Sequence, residues 1–230
     1  NAHSGSGSIF VAEADESDGS FLAYKPSGAI ITNVELDHVD HFADEEAVFA
    51  GFEQVFDSIK PGGFAVGCGD DSGVKHLLSQ IKRSDLKILL YGEDSNNDFR
   101  LDRINLAPTT SSAALTITGR KIGELNLAVA GKHNLLNAVA AFAAGSAMGI
   151  AEDKLITGLK SFTGTRRRFE LKGEVAGVKV IDDYGHHPTE ITVTLIAAKN
   201  LAQSGRVLVV FQPHRYSRTA VFSHQFAEAL

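Results

Sequence analysis

Three short apolar runs separated by stretches of helical periodicity limit this chain to few folds. The runs are Ala29-Ile-Ile-Thr-Asn33, Phe64-Ala-Val-Gly67 and Lys87-Ile-Leu-Leu-Tyr91. Between the first two, Val48, Phe49, Phe52, Val55, Phe56 and Ile59 fall on one side of a helix over residues 45–59. Asp44 is placed to cap its start, and Pro61-Gly-Gly63 to stop it. A second helix is predicted over 72–81. Strands separated by helices join through crossovers, and crossovers make neighbouring strands parallel. The expected fold class is therefore α/β, with a mostly parallel, doubly wound sheet. Ser8-Ile-Phe-Val-Ala-Glu13, apolar and ending in acids, reads as one more buried strand of it.

From 99 to 129 the pattern alternates every second residue, which predicts a small antiparallel sheet in the same domain. Helices follow over 133–148 and 151–162. Gly164-Thr-Arg-Arg-Arg168 reads as a basic linker. Beyond it come a strand at Val178-Lys-Val-Ile181, a helix over 187–202, a strand at Arg206-Val-Leu-Val-Val-Phe211 and a helix from 222. That order is the opening of a second, Rossmann-like α/β domain. Two domains are expected, 1–163 and 164–230.

Composition excludes several classes of partner. The net charge of −6 offers no general attraction to nucleic acid or to anionic membranes. No apolar stretch is long enough to span a bilayer. The one cysteine, Cys68, precludes an intrachain disulfide and fits a reducing cytoplasm. The first residues lack the pattern of a signal peptide and an initiator methionine, and the last stop inside a predicted helix, so both ends are expected to be cuts in a longer chain.

In open α/β sheets, ligands bind outside the carboxyl ends of the strands. Glu13-Ala-Asp-Glu-Ser-Asp18 places four carboxylates at such an end. Hard oxygens there suit magnesium, or else the segment is a solvated acidic loop. In Asn33-Val-Glu-Leu-Asp-His38, His38 could complete a cation site with Glu13, and Asp37 could orient its ring; the alternative is a capped, exposed loop. Asn134 and Asn137, in Gly131-Lys-His-Asn134-Leu-Leu-Asn137, share a helix face, and amides match the edge of a purine ring. Capping alone explains Asn134 but not Asn137. Arg168 in the linker could clamp phosphate charge, or the linker could simply be solvated. Asp183, Tyr184, His186 and His187 follow one strand, and His214, Arg215 and Arg218 follow the next. Guanidiniums there suit a carboxylate or phosphate. Zinc on His186 and His187 lacks a third soft ligand at useful spacing.

Six segments, taken in order, resemble the Mur ligase family. They are Glu13-Ala-Asp-Glu-Ser-Asp18, Asn33 to His38, Gly131 to Asn137, Arg167-Arg-Phe169, Asp182-Asp-Tyr-Gly-His-His-Pro-Thr-Glu190 and Phe211-Gln-Pro-His-Arg-Tyr-Ser-Arg-Thr219. Together they span nearly the whole chain. The resemblance implies a cytoplasmic, ATP- and Mg2+-dependent ligase that joins L-alanine to the carboxylate of UDP-N-acetylmuramate through an acyl phosphate. It further implies that Glu13 and His38 ligate Mg2+, with Glu16 as the alternative to Glu13. Asn134 and Asn137 would contact adenine, and Arg168 and Asp183 the rest of ATP. Tyr184, His186, Arg215 and Arg218 would surround alanine and the reacting carboxylate. The family also carries a UDP-sugar domain and a Gly-Thr-His-Gly-Lys-Thr phosphate loop; neither is found here, so the chain alone is expected to be inactive. Rival readings are a murein-peptide or folylpolyglutamate-type ligase, a non-catalytic nucleotide-binding module, and a metallohydrolase.

Overall fold

A computed structural model describes residues 5–15, 17–37 and 41–230. The first unit runs β1 (Gly28–Ile31), α1 (Glu45–Ser58), β2 (Phe64–Cys68), α2 (Ser72–Ser79), β3 (Lys87–Gly92), β4 (Phe99–Leu106), β5 (Ser111–Ile117), β6 (Arg120–Leu127), α3 (Lys132–Ala147) and α4 (Glu152–Lys160). The second runs β7 (Glu170–Val175), β8 (Val178–Asp182), α5 (Pro188–Ala202), α6 (Tyr216–Val221) and α7 (Ser223–Ala229).

The six strands of the first unit form one sheet in sequence order. β1 to β4 pair in parallel, and β5 and β6 continue the same sheet antiparallel. The two-residue periodicity of 99–129 was thus a true signal, and its strands extend the parallel sheet instead of forming a separate one. Alternation in β2 feeds two cores. Val66 and Cys68 face α3, with Leu89, Tyr91 and Phe142. Ala65 faces the α1 and α2 side, with Phe56, Ile59 and Leu77. Burial raises the pKa of the Cys68 thiol.

Local chemistry sets the element ends. Asp44 accepts the Ala47 N–H at 2.9 Å and caps α1. At the other end of α1, Arg83 Nη1 donates to the carbonyls of Phe56 (2.9 Å) and Ile59 (2.6 Å). Asp85 aims that guanidinium, and the hydrogen bond from Arg83 draws the Asp85 carboxyl down to about 2. After β2, Asp70 accepts the backbone N–H groups of Glu93 (2.6 Å) and Asp94 (3.0 Å) and the Asn97 amide (2.9 Å). Those donors outweigh burial and hold Asp70 below the usual carboxylate range. Gly92 at φ 151° leaves room for this carboxylate, because a Cβ there would sit 2.4 Å from it.

Two predicted strands are not formed. Ser8 to Glu13 has no ladder partner among the described residues, and Phe10 is 89% exposed. Arg206 to Phe211 is likewise unpaired, with Val210 100% exposed. Apolar, β-branched composition favours a strand only where a neighbouring strand and a covered face exist, and neither segment has both. The second unit instead contains the β7–β8 antiparallel hairpin and three helices. Its small core joins Ile191 of α5 to Phe222 and Phe226, and Leu36 of the first unit packs against it.

Candidate functional site

The linker between the units is pinned. Arg167 and Phe169 adopt left-handed φ of 59° and 49°, unusual for residues with side chains. Hydrogen bonds hold them there. The Phe169 N–H donates to Asp183 Oδ2 (2.8 Å), the Tyr184 N–H to the Arg167 carbonyl (2.7 Å), and the Gly185 N–H to Asp183 Oδ1 (2.7 Å). Both oxygens of Asp183 therefore serve the backbone where β8 meets the linker. The guanidinium carbons of Arg167 and Arg168 lie 4.7 and 5.8 Å from the centre of the Tyr184 ring. His186 meets the same ring edge-on, at 5.2 Å between centroids.

Glu190 organises the other side of this surface. Its Oε1 accepts Arg168 Nη1 at 2.9 Å, and its Oε2 accepts the N–H groups of His186 (2.8 Å) and His187 (3.2 Å). This is a capping box on α5 with Pro188 in the first turn. Burial opposes the Glu190 charge, but the His186 N–H and the Arg168 guanidinium prevail and lower its pKa. His186 Nδ1 lies 3.0 Å from the Tyr184 carbonyl; the tautomer that donates there leaves Nε2 as an acceptor.

The start of α3 belongs to the same neighbourhood. The pKa of His133 is pushed down chiefly by burial; the Asp183 carboxylate pulls it up and the Arg168 guanidinium pushes it down. Gly131, at φ 99°, lies so close over the His133 ring that a Cβ would be 2.6 Å from it. Asn134 donates one amide N–H to the Ala130 carbonyl at 2.7 Å, which leaves its oxygen and its second N–H to offer a ligand. Asn137 is exposed on a helix whose neighbouring turns are buried.

The loop after β1 meets the second unit. Asp37 accepts Arg218 Nε at 2.8 Å and Nη2 at 3.1 Å, and the Arg218 side chain is only 3% exposed. Glu35 Oε2 accepts the Thr189 hydroxyl at 2.7 Å. The His187 ring packs edge-on against Phe222. A cleft of about 570 Å³ lies here, with Glu35, Leu36, Ser72, His187 and Thr189 among its lining residues.

The sequence-based site is therefore gathered in part. Arg168, Asp183, Tyr184 and His186 form one surface near the start of α3. Arg215 is exposed at the N-terminus of α6 with a strained φ of 66°. Arg218 is buried and holds the carboxylate of Asp37. Asp37, expected to orient a histidine ring, is engaged by that arginine. Glu13 is an exposed hard-oxygen donor, whereas its expected partner His38 and the alternative Glu16 lie outside the described residues. Among the described residues, no group of three His, Cys, Asp or Glu side chains is arranged to hold a metal ion. Glu190 and Glu35 were given no role from the sequence. Glu190 carried a signal, three residues beyond His187 in a capping-box pattern. The 181-residue separation of Asp37 and Arg218 left none.

Comparison with known proteins covers both units. The Mur ligase middle domain matches residues 4–145, and the family described as "Mur ligase, glutamate ligase domain" matches 167–230. A UDP-N-acetylmuramate–L-alanine ligase from Acidothermus cellulolyticus is 48% identical over 230 residues, 100% of this chain and 48% of that protein. The ligase of the same name from Oleidesulfovibrio alaskensis is 45% identical over 229 residues, covering 100% of this chain and 50% of that protein. The chain thus spans about half the length of the curated relatives it matches. The crystal structure of UDP-N-acetylmuramate–alanine ligase from Thermotoga maritima superposes with a TM-score of 0.75 at 28% identity, covering 94% of this chain and 46% of that one. A murein peptide ligase from Psychrobacter arcticus gives a TM-score of 0.60 at 25% identity, covering 86% and 42%.

Proposed function

Because the chain belongs to the Mur ligase family, with middle-domain and glutamate-ligase-domain segments in sequence, we propose that it forms the nucleotide- and amino-acid-binding part of an ATP-dependent ligase. That ligase joins L-alanine to the carboxylate of UDP-N-acetylmuramate during synthesis of the cell-wall precursor, in the cytoplasm. One observation carries this reading: Arg168, Tyr184 and His186, drawn from the linker and the β8–α5 turn, share one surface beside the start of α3.

A carboxylate is a poor electrophile. In the proposed sequence it takes the γ-phosphoryl group of ATP, ADP leaves, and the alanine amine attacks the resulting acyl phosphate, expelling inorganic phosphate. Such chemistry asks the protein mainly for positioning and charge neutralisation. Asn137 and the Asn134 oxygen would meet the adenine, and Arg168 would face the phosphates. Asp183 would act through the backbone it holds as well as on the nucleotide. Tyr184 and Arg215 would bracket the amino acid, and His186 Nε2 would take the proton released by the attacking amine. Glu13 fits Mg2+ as a hard donor, with His38 as its proposed partner. Bound Mg2+ would neutralise phosphate charge.

Two measurements test the proposal. Titration of the chain with MgATP should show binding that Arg168→Ala weakens. Phosphate release by the longer ligase containing this sequence should require UDP-N-acetylmuramate and prefer L-alanine to a murein peptide. Equal use of the peptide would move the assignment to a sister ligase. The chain by itself is expected to release negligible phosphate, because it has no Gly-x-x-x-x-Gly-Lys loop to hold the ATP phosphates.

A further inference from the structure

We propose that Arg218 and Thr189 are positioning residues that tie the loop after β1 to the second unit, through Asp37 and Glu35. Residues 32–37 leave β1 as a loop. Glu35 and Asp37 are two apart, with Leu36 between them. Leu36 packs against the Ile191, Phe222 and Phe226 cluster, and each acid is taken by a different helix of the second unit. Thr189, in the first turn of α5, donates to Glu35 at 2.7 Å. Arg218, in α6, grips Asp37 with two nitrogens at 2.8 and 3.1 Å.

The alternative is an incidental surface ion pair, which would contribute little. Burial argues against it, since the Arg218 side chain is 3% exposed. Removing one partner of a buried pair leaves the other as an uncompensated charge. Opening this contact would also bare Leu36. The loop and the second unit therefore move together. The tie itself is a structural claim. Its consequence for catalysis, that the second unit sets the place of residues 32–37 at the end of β1, rests on the ligase reading above.

Spin labels on the 230-residue chain test the tie. Glu53→Cys on α1 and Lys199→Cys on α5 are both exposed, and buried Cys68 leaves labelling to them. Pulsed electron paramagnetic resonance should give one narrow distance distribution for the parent chain. Asp37→Asn and Arg218→Lys should broaden it and shift it to longer distance, because lysine keeps the charge but loses the fork. Thr189→Val should add to either change. The exchange Asp37→Arg with Arg218→Asp should restore a narrow distribution, a rescue that loss of separate structural roles would not give. If the exchanged chain does not fold, Asp37→Asn and Thr189→Val carry the test.

Unchanged distributions in Asp37→Asn and Arg218→Lys would overturn the proposal. Alanine-dependent phosphate release by the longer ligase containing this sequence keeps the two claims apart. Lengthening in the variants with no such release by that ligase upholds the tie and sinks the ligase reading. Such release with unmoved distributions sinks the tie alone.

Discussion

Arg168 Nη1 meets Glu190 Oε1 at 2.9 Å while the other oxygen of Glu190 is held by the N–H groups of His186 and His187. One carboxylate therefore fixes both the linker arginine and the turn that carries the histidines. The two partners should respond differently to substitution. The Arg168 side chain is 47% exposed, so Arg168→Ala should cost only about 0–1 kcal/mol of stability, as exposed ion pairs do. Glu190→Gln weakens the cap as well as the pair and should cost about 1–3 kcal/mol. MgATP affinity should fall in both. Urea unfolding and nucleotide titration separate these effects, and equal stability losses would contradict the role given to Glu190.

Acid should loosen the end of α1 in a defined window. The folded Asp85 carboxyl sits at about 2, below its ordinary 3.8. A depressed folded value means that Asp85 contributes stability above 3.8, and that this contribution fades as pH falls towards 2. Over that interval Arg83 loses the partner that aims it at the Phe56 and Ile59 carbonyls. Asp85→Asn should flatten this part of the stability–pH curve, measured as melting temperature between pH 5 and pH 2. A curve that keeps its slope would remove Asp85 from the explanation.

Two glycines should respond to alanine with opposite signs. Gly92→Ala drives a methyl group into the Asp70 carboxylate at φ 151° and should cost about 1–3 kcal/mol. Gly158 lies inside α4 with open space around it, so Gly158→Ala should stabilise the chain by about 0.5–1 kcal/mol. Thermal unfolding of both variants decides the matter.

The paired asparagines of α3 can be told apart. Asn134→Ala removes the bond to the Ala130 carbonyl and should cost about 1 kcal/mol of stability. Asn137 is exposed, and alanine suits a helix better, so Asn137→Ala should leave stability unchanged or slightly raised. Any several-fold loss of MgATP affinity in Asn137→Ala then reports a lost ligand contact. Full affinity in that variant would remove Asn137 from the nucleotide site.

What could be read from the residues was the local and the periodic. α1 and its Asp44 cap, the parallel run of β1 to β3, and the change to two-residue alternation at Phe99 all follow from spacing. The surface around Tyr184 was legible because its residues lie close together in the chain or in motifs. The strands expected at Ser8 and Arg206 failed because pairing depends on a neighbour that composition does not reveal. The pairing of Arg218 with Asp37 was not legible for a related reason: an arginine in a polar motif after a strand suits a ligand carboxylate, and only the tertiary arrangement brings Asp37 to it. Left-handed backbone at Arg167 and Phe169 likewise has no signature in side-chain type.

The unpaired runs around Phe10 and Val210 bear on how this chain behaves in a tube. Each presents β-prone apolar residues together with backbone groups outside any ladder among the described residues, a ready template for a second molecule. Light scattering should climb steeply with protein concentration, and Val210→Lys should suppress the rise. Dilute samples with added salt-tolerant solubilisers are therefore the proper setting for binding work, since sticky assemblies would hide weak nucleotide affinity behind turbidity.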